Sequence, residues 1–470
     1  MPKSLKSFSC QILIISVFSS FFLLMPKRVL ATDYYLSPSG NDGNSGTFTS
    51  PWLTFNKAIP NLKPGETLYV RGGTYYQNGY HWIAPTGLAN QPITIKAYGQ
   101  EKPIFDGRNQ NSDLLVIKNS VAYIIIDGLT IQNYGHPDWG GGAIFTQGGA
   151  HHITIRNCTF LNNGLIQQAH HIYIGAPGDN IIVHNNFFKN ETRAGGGVHL
   201  WGKGSTFSKT NIYIYNNIFI NDYWGVVAGD GVQNLHIYNN TFYNNASNIN
   251  FEWDGQDGKL GVKDVYIKNN ISYSGSGIGM IVGSFNFNNN INSDYNLWYG
   301  TTSPIRWGGN DYSINQFRDN TTNEDHGLQA NPLFISASAF NFHLQSSSPA
   351  IDTGVNLHSQ GVSQDFDGNS RPQSGPFDIG AYEYQSGGLV PSSTPSSPTK
   401  TPAPANKTPT PTPPACFLAS SGDFNCDNLI NESDLNTLLG KWMTNEKDIT
   451  GDSIVNESDL NKLLGNWKAI

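Results

Sequence analysis

Charged residues make up only 13% of this 470-residue chain, against about 25% in an ordinary soluble domain, so the places where they gather are informative. One gathering lies between residues 171 and 257, in the segments HHIYIG, GVHLWGKG, GVVAGDG and NINFEWDGQDG. If Ile172, Val198, Val226 and Ile249 point inward, strand alternation places His171, Tyr173, His199, Trp201, Asn250 and Glu252 on the opposite face. Lys203, Asp230, Trp253, Asp254 and Asp257 fall in the turns that follow, and Arg193 lies in the loop before His199. Aromatic rings beside acids and bases suit a polysaccharide, with His171, Tyr173, Arg193, Trp201 and Trp253 as contacts and His199, Lys203, Asp230, Glu252 and Asp254 as candidates for chemistry. Two reactions compete. Elimination from a uronate needs a cation, for which a Ca²⁺ in this region is one source, to neutralise the carboxylate. It also needs a base, Lys203 or His199, to take the C5 proton. Hydrolysis needs two carboxyl groups across the glycosidic bond, which Glu252 with Asp230 or Asp254 could provide. A non-catalytic adhesin face is the third reading.

A second gathering occupies the C-terminal residues. GDFNCDNLINESDLNTLLGKW and DITGDSIVNESDLNKLLGNW repeat at an interval of 25 residues. Asp423, Asn425, Asp427 and Asp434 hold positions 1, 3, 5 and 12 of a calcium loop, with Leu429 (through its carbonyl) at 7 and Asn431 at 9. Asp448, Thr450, Asp452, Asp459, Ile454 and Asn456 do the same in the second copy. Hard oxygen donors at these offsets fit Ca²⁺, so two ions are expected. Each loop runs into an amphipathic helix: Leu435, Leu438, Leu439, Trp442 and Leu460, Leu463, Leu464, Trp467.

The first set needs a scaffold that brings residues tens of positions apart onto one face. One phrase supplies it six times, from AYIIIDGLTIQN to KDVYIKNNISYS. Gly128, Asn157, Asn185, Asn216, Asn239 and Asn269 form one column at intervals of 29, 28, 31, 23 and 30 residues. Such a period marks a solenoid. Two residues before the column stand Ile126, Ile155, Val183, Ile214, Ile237 and Ile267, and two earlier another apolar residue, which is strand alternation. The expected fold is all-β: a single-stranded right-handed parallel β-helix solenoid, with the Asn column as a left-handed turn whose amides stack between coils. Ser50 and Pro51 read as the start of a short helix, with Leu53, Ala58, Ile59 and Leu62 on its apolar side, plugging the first coil; Thr67 to Tyr76 then starts the coils.

The remaining chain divides by composition. Residues 1–31 carry Lys3 and Lys6, an apolar run and Ala31, and read as a signal peptide, with a retained anchor as the alternative. Residues 32–385 form the β-helix domain. Residues 386–415, rich in Pro, Thr and Ser, form an extended linker, and 416–470 the small α-helical calcium-binding domain, where Cys416 and Cys426 could close a disulfide. With a pI near 5.9 and no basic cluster beyond the N-terminus, nucleic acid is excluded as a partner. A secreted or surface-attached location follows, with no membrane span after cleavage.

The stretch from Asp33 to about Tyr80, DYYLSPSGNDGNSGTFTSPWLTFNKAIPNLKPGETLYVRGGTYY and beyond, closely resembles the opening of right-handed β-helix proteins related to pectate lyases and chondroitinase-like lyases. SDYNLWYG at Ser293, NPLF at Asn331, LQSSSPAIDTG at Leu344 and DFDGNSRPQSGPFDIGAYEY at Asp365 resemble the closing region of secreted bacterial members. The resemblance implies cleavage of an acidic polysaccharide, although that family's catalytic Lys and Asp calcium cluster has no residue-by-residue match here. The duplicated loop-helix unit resembles a dockerin, which implies a cohesin partner. Glu432-Ser433 and Glu457-Ser458 stand where dockerins choose that partner, and Thr450 departs from the usual Asn or Asp. A calcium-stapled domain without a cohesin is the alternative.

Overall fold

The computed structural model describes residues 32–385, except 78, 136–140, 165–168, 176–177, 191–194, 203–205, 253–259, 285–288 and 374. Within them the chain winds through three ten-stranded sheets, visited in the order sheet 1, sheet 2, sheet 3 in each coil from Thr67 to Trp307, and every pair in these sheets is parallel except the last in sheet 3. This is a parallel β-helix. The expected columns are in register: Ile155, Val183, Ile214, Ile237 and Ile267 pair successively in sheet 1 and are fully buried. The phrase continues into sheet 2 with Phe160, Phe188, Phe219 and Phe242, whose rings stack at centroid distances of 5.0, 4.7 and 4.9 Å.

The corner between sheets 1 and 2 is the Asn turn. Gly128, Asn157, Asn185, Asn216, Asn239 and Asn269 all have φ between +49° and +75°, the left-handed region that Asn and Gly tolerate best. The stacked amides, however, belong to the next residue. Asn186, Asn217, Asn240 and Asn270 each donate from Nδ2 to the Oδ1 of the following coil's Asn, at 2.9–3.1 Å, ending on Asn296. They also donate to the carbonyls of Ile155, Val183, Ile214 and Ile237. The physical reason is that this second side chain faces the waterless interior, where an unpaired carboxamide would be costly. Beyond Asn296 the ladder meets Glu324, fully buried, whose Oε1 accepts from Asn296 Nδ2 at 2.8 Å.

The first Asn of each pair reaches outward to the closing segment. Asn185 donates to Asp365 O at 2.9 Å, Asn216 to Gln364 O at 2.5 Å, Asn239 to Asp378 O at 2.9 Å and Asn269 to Val355 O at 2.8 Å. The closing segment is itself tied by the buried pair Arg371–Glu383. Cys158, at the same corner, is buried, and burial pushes its thiol up to about 12, in keeping with an inert residue.

Both ends of the coil stack differ in detail from the sequence reading. The first coil begins at Asp33–Leu36, which pairs with Thr67–Val70, rather than at Thr67. The plugging helix is Phe55–Ala58, capped by Thr54, whose hydroxyl accepts from the backbone N–H of Lys57; Ser50 lies in a turn and Leu53 is exposed. Thr54 displaces Ser50 as cap because Asp42 fixes it, accepting from its backbone N–H and its hydroxyl. Phe55 then stacks on Phe105 at 4.6 Å, covering the core. At the other end a helix, Ile314–Asn320, begins with a reciprocal Ser313–Gln316 cap and buries Ile314 and Phe317.

Candidate functional site

Sheet 3 carries the face singled out by alternation. Pairing from coil to coil places Trp82, Val116, Phe145, Tyr173, His199, Val227, Asn250, Ile281 and Arg306 in one outward column. Tyr173 and His199 are therefore neighbours as expected, with ring centroids 4.9 Å apart, and Trp201, two residues along the same strand, stands edge-on to His199 at 5.5 Å. Asn250 lies on this face but is buried and accepts the backbone N–H of Glu252 at 2.9 Å. Glu252 is exposed, and its charge acts on Arg306, itself paired with Asp311 at 2.7 Å.

The sequence reading missed His170. Its ring lies 4.2 Å from that of His199, with Nε2 2.7 Å from His199 Nδ1, and its Nδ1 accepts the Gly196 N–H at 2.7 Å. Burial lowers His170 well below the ordinary histidine range and His199 to about 3, so both rings are neutral. The tautomers follow. Because His170 Nδ1 is an acceptor, its proton sits on Nε2 and is donated to His199 Nδ1; His199 must then carry its own proton on Nε2. His199 thus offers a hydrogen-bond donor and has no free lone pair with which to abstract a proton, which corrects its assignment as a base. Strict alternation from Ile172 would turn His170 inward, so no local spacing marked it for this site.

His171 is also corrected. It is fully buried at the corner between sheets 2 and 3, near the rings of Phe160 and Phe188, and so cannot contact a ligand on the outer face. Asn163 donates to its Nδ1 at 3.1 Å, and its Nε2–H faces Asp222 Oδ1 at 3.3 Å. His171 and Ile172, adjacent in the strand His170–Ile174, are both fully buried, so alternation fails there. Asp230 is only 1% exposed, in a left-handed turn, with its charge close enough to help burial raise the Tyr173 phenol to about 12. That turn abuts Gly202, where a Cβ would lie 2.0 Å from Asp230 O, so the backbones of these two coils are in close approach. Lys203, Arg193, Trp253 and Asp254 lie outside the described residues, as do residues 386–470 with all twelve expected calcium ligands and both Cys416 and Cys426. Among the described residues no cluster of three or more His, Cys, Asp or Glu is placed to hold a metal, and no helix is long and apolar enough to cross a membrane.

A second cleft lies where the closing segment crosses the Asn corner, lined by Arg156, His184, Tyr215, Gln364 and Asp367 among others. Its cation is engaged: Arg156 pairs with Asp127 at 2.9 Å.

Strand order and register together define a parallel β-helix. Residues 34–199 match the family described as "Pel9A-like, right handed beta helix region". The chain is 39% identical over 87 residues to pectate lyase PEL9 of Emericella nidulans, covering 18% of this chain and 21% of that protein. It is 31% identical over 132 residues to "Uncharacterized protein YwoF" of Bacillus subtilis strain 168, covering 27% and 28%. The matches thus span between a fifth and a third of the length of these curated relatives. Among solved structures, pectate lyase Pel9A superposes with a TM-score of 0.42 at 17% identity, covering 76% of this chain and 98% of that one.

Proposed function

We propose that the protein is a secreted polysaccharide lyase that binds a uronate polymer along the outer face of sheet 3 and cleaves it by β-elimination. The observation that carries this reading is the run of Tyr173, His199 and Trp201 on adjacent strands of that face, whereas Asp230, in the next turn, is buried and lies behind it. The local likeness to pectate lyase PEL9 supports the same class.

Lys203 is the base of this proposal, since the tautomer of His199 leaves it only a donor. Lys203 in its amine form takes the C5 proton, the C4–O4 bond breaks, a C4=C5 double bond forms, and the leaving oxygen takes a proton from solvent. Arg193 neutralises the carboxylate and so stabilises charge that develops at C5. His199 Nε2–H donates to a sugar oxygen, while Tyr173 and Trp201 hold the ring. Hydrolysis is the weaker reading, because a glycosidase acid sits in a desolvated pocket whereas Glu252 is exposed. The C-terminal repeats would hold two Ca²⁺ and dock the enzyme to a cohesin.

Incubation with a panel of acidic and neutral polysaccharides tests the reading. Lyase action yields an unsaturated uronide absorbing in the ultraviolet, and Lys203→Ala abolishes it. Reducing ends without that absorbance, lost in Glu252→Gln, would establish hydrolysis instead. No cleavage of any polymer would leave a binding face.

A further inference from the structure

Large apolar side chains are normally covered, yet Trp82 is 42% exposed and Tyr80, 6.1 Å away between ring centroids, is 37% exposed. Trp82 is held firmly: it sits between His81 and Ile83, 2% and 1% exposed, and its strand pairs in register with Leu115–Ile117. Lys118, also exposed, places its ammonium 5.2 Å from the Trp82 ring centroid. Trp82 belongs to the same outward column as Tyr173 and His199, three strand spacings from Tyr173 or roughly 14 Å along the helix axis.

We infer that Trp82, Tyr80 and Lys118 form a remote saccharide subsite that receives a uronate several sugars away from the reacting bond. The indole face stacks on the pyranose ring, and the lysine ammonium pairs with the uronate carboxylate. This occupant is favoured over an apolar partner surface by two features. The aromatic patch carries its own cation, which suits an acidic sugar, and it lies in line with the candidate site, so one extended chain can meet both. The inference rests on the reading of the middle of this face as a uronate-polymer site, and makes the enzyme selective for long chains.

The test uses the full chain and polygalacturonate, with binding measured by affinity electrophoresis or calorimetry and cleavage by ultraviolet absorbance. Trp82→Ala should weaken binding by about tenfold, within the range of a lost aromatic contact, with Trp82→Tyr close to the parent and melting temperatures unchanged. Lys118→Gln should weaken binding at low salt and flatten its decline with added salt. Loss of binding in Trp82→Ala supports the subsite even if the parent cleaves nothing, an outcome that would sink the lyase reading alone. Parent-like binding by a folded Trp82→Ala variant overturns the subsite while leaving the central reading in place. A parent that binds no acidic polymer overturns both.

Discussion

The Asn corner and the outer face of sheet 3 are built alike and end differently. Both are columns of side chains repeated on successive coils, amides at the corner and a mixture of aromatic, aliphatic and polar groups on sheet 3. At the corner, every amide of Asn217, Asn240 and Asn270 is engaged by the coil before it, the coil after it or a strand carbonyl. On sheet 3 the bonds run from Gly196 to His170 to His199, and among the described residues none is formed by the last proton, on His199 Nε2. A polar column closed on itself holds a fold together, and one that ends in a ring on an outward strand column is suited to a ligand.

The largest effect should come from breaking the closed column where it adjoins the core. Replacing Ile214 by Asp buries a lone carboxylate among Val183 and Ile237 and should cost several kcal/mol or prevent folding. Asn240→Ala comes next. It strands donors on Asn217 and an acceptor each on Ile214 and Asn270, so thermal or urea denaturation should show a loss of about 2–4 kcal/mol. A soluble Ile214→Asp variant with parental melting would contradict the stacked interior.

Glu324 sharpens the comparison through pH. Burial raises its carboxyl to about 7, above the ordinary 4.5, so between those values the folded chain binds more protons than the unfolded one. Its contribution is complete below pH 4.5 and is lost as pH rises through 7, by roughly 3 kcal/mol at most. Two histidines of sheet 3 act oppositely: His170 and His199, lowered in the folded state, make stability fall as pH drops below 6.5. The difference in stability between parent and Glu324→Gln isolates the first effect, and a difference that does not change from pH 4.5 to 7 would refute it. The smallest change is expected on the exposed corner, where Asn244 Nδ2 donates to Asn221 Oδ1 at 2.8 Å in water; Asn244→Gly should cost about 1 kcal/mol or less.

Much of this was legible in the chain. Alternation around Ile155 or Val183 specifies strands, the Asn column specifies left-handed corners, and the parity of Ile172 and Val198 places Tyr173, His199 and Trp201 outward. What escaped was set by context that no local spacing carries. His171 is buried against strict alternation, held by Asn163 and Asp222 from neighbouring coils. The amide ladder moved by one residue because orientation at the turn, rather than residue type, decides which Asn is buried. The partners of Asn185, Asn216 and Asn239 lie about 140 to 180 positions away, in a closing segment recognisable by resemblance but not by where it lands.

The central claim is that a uronate chain lies on sheet 3 and leaves the Asn corner alone. A crystal structure of the Lys203→Ala protein with an oligogalacturonide bound tests it directly. A sugar should be stacked at Tyr173 and Trp201 with an oxygen within hydrogen-bond reach of His199 Nε2. An oligosaccharide seated instead in the cleft of Arg156, His184 and Tyr215, or absent from both, would contradict it.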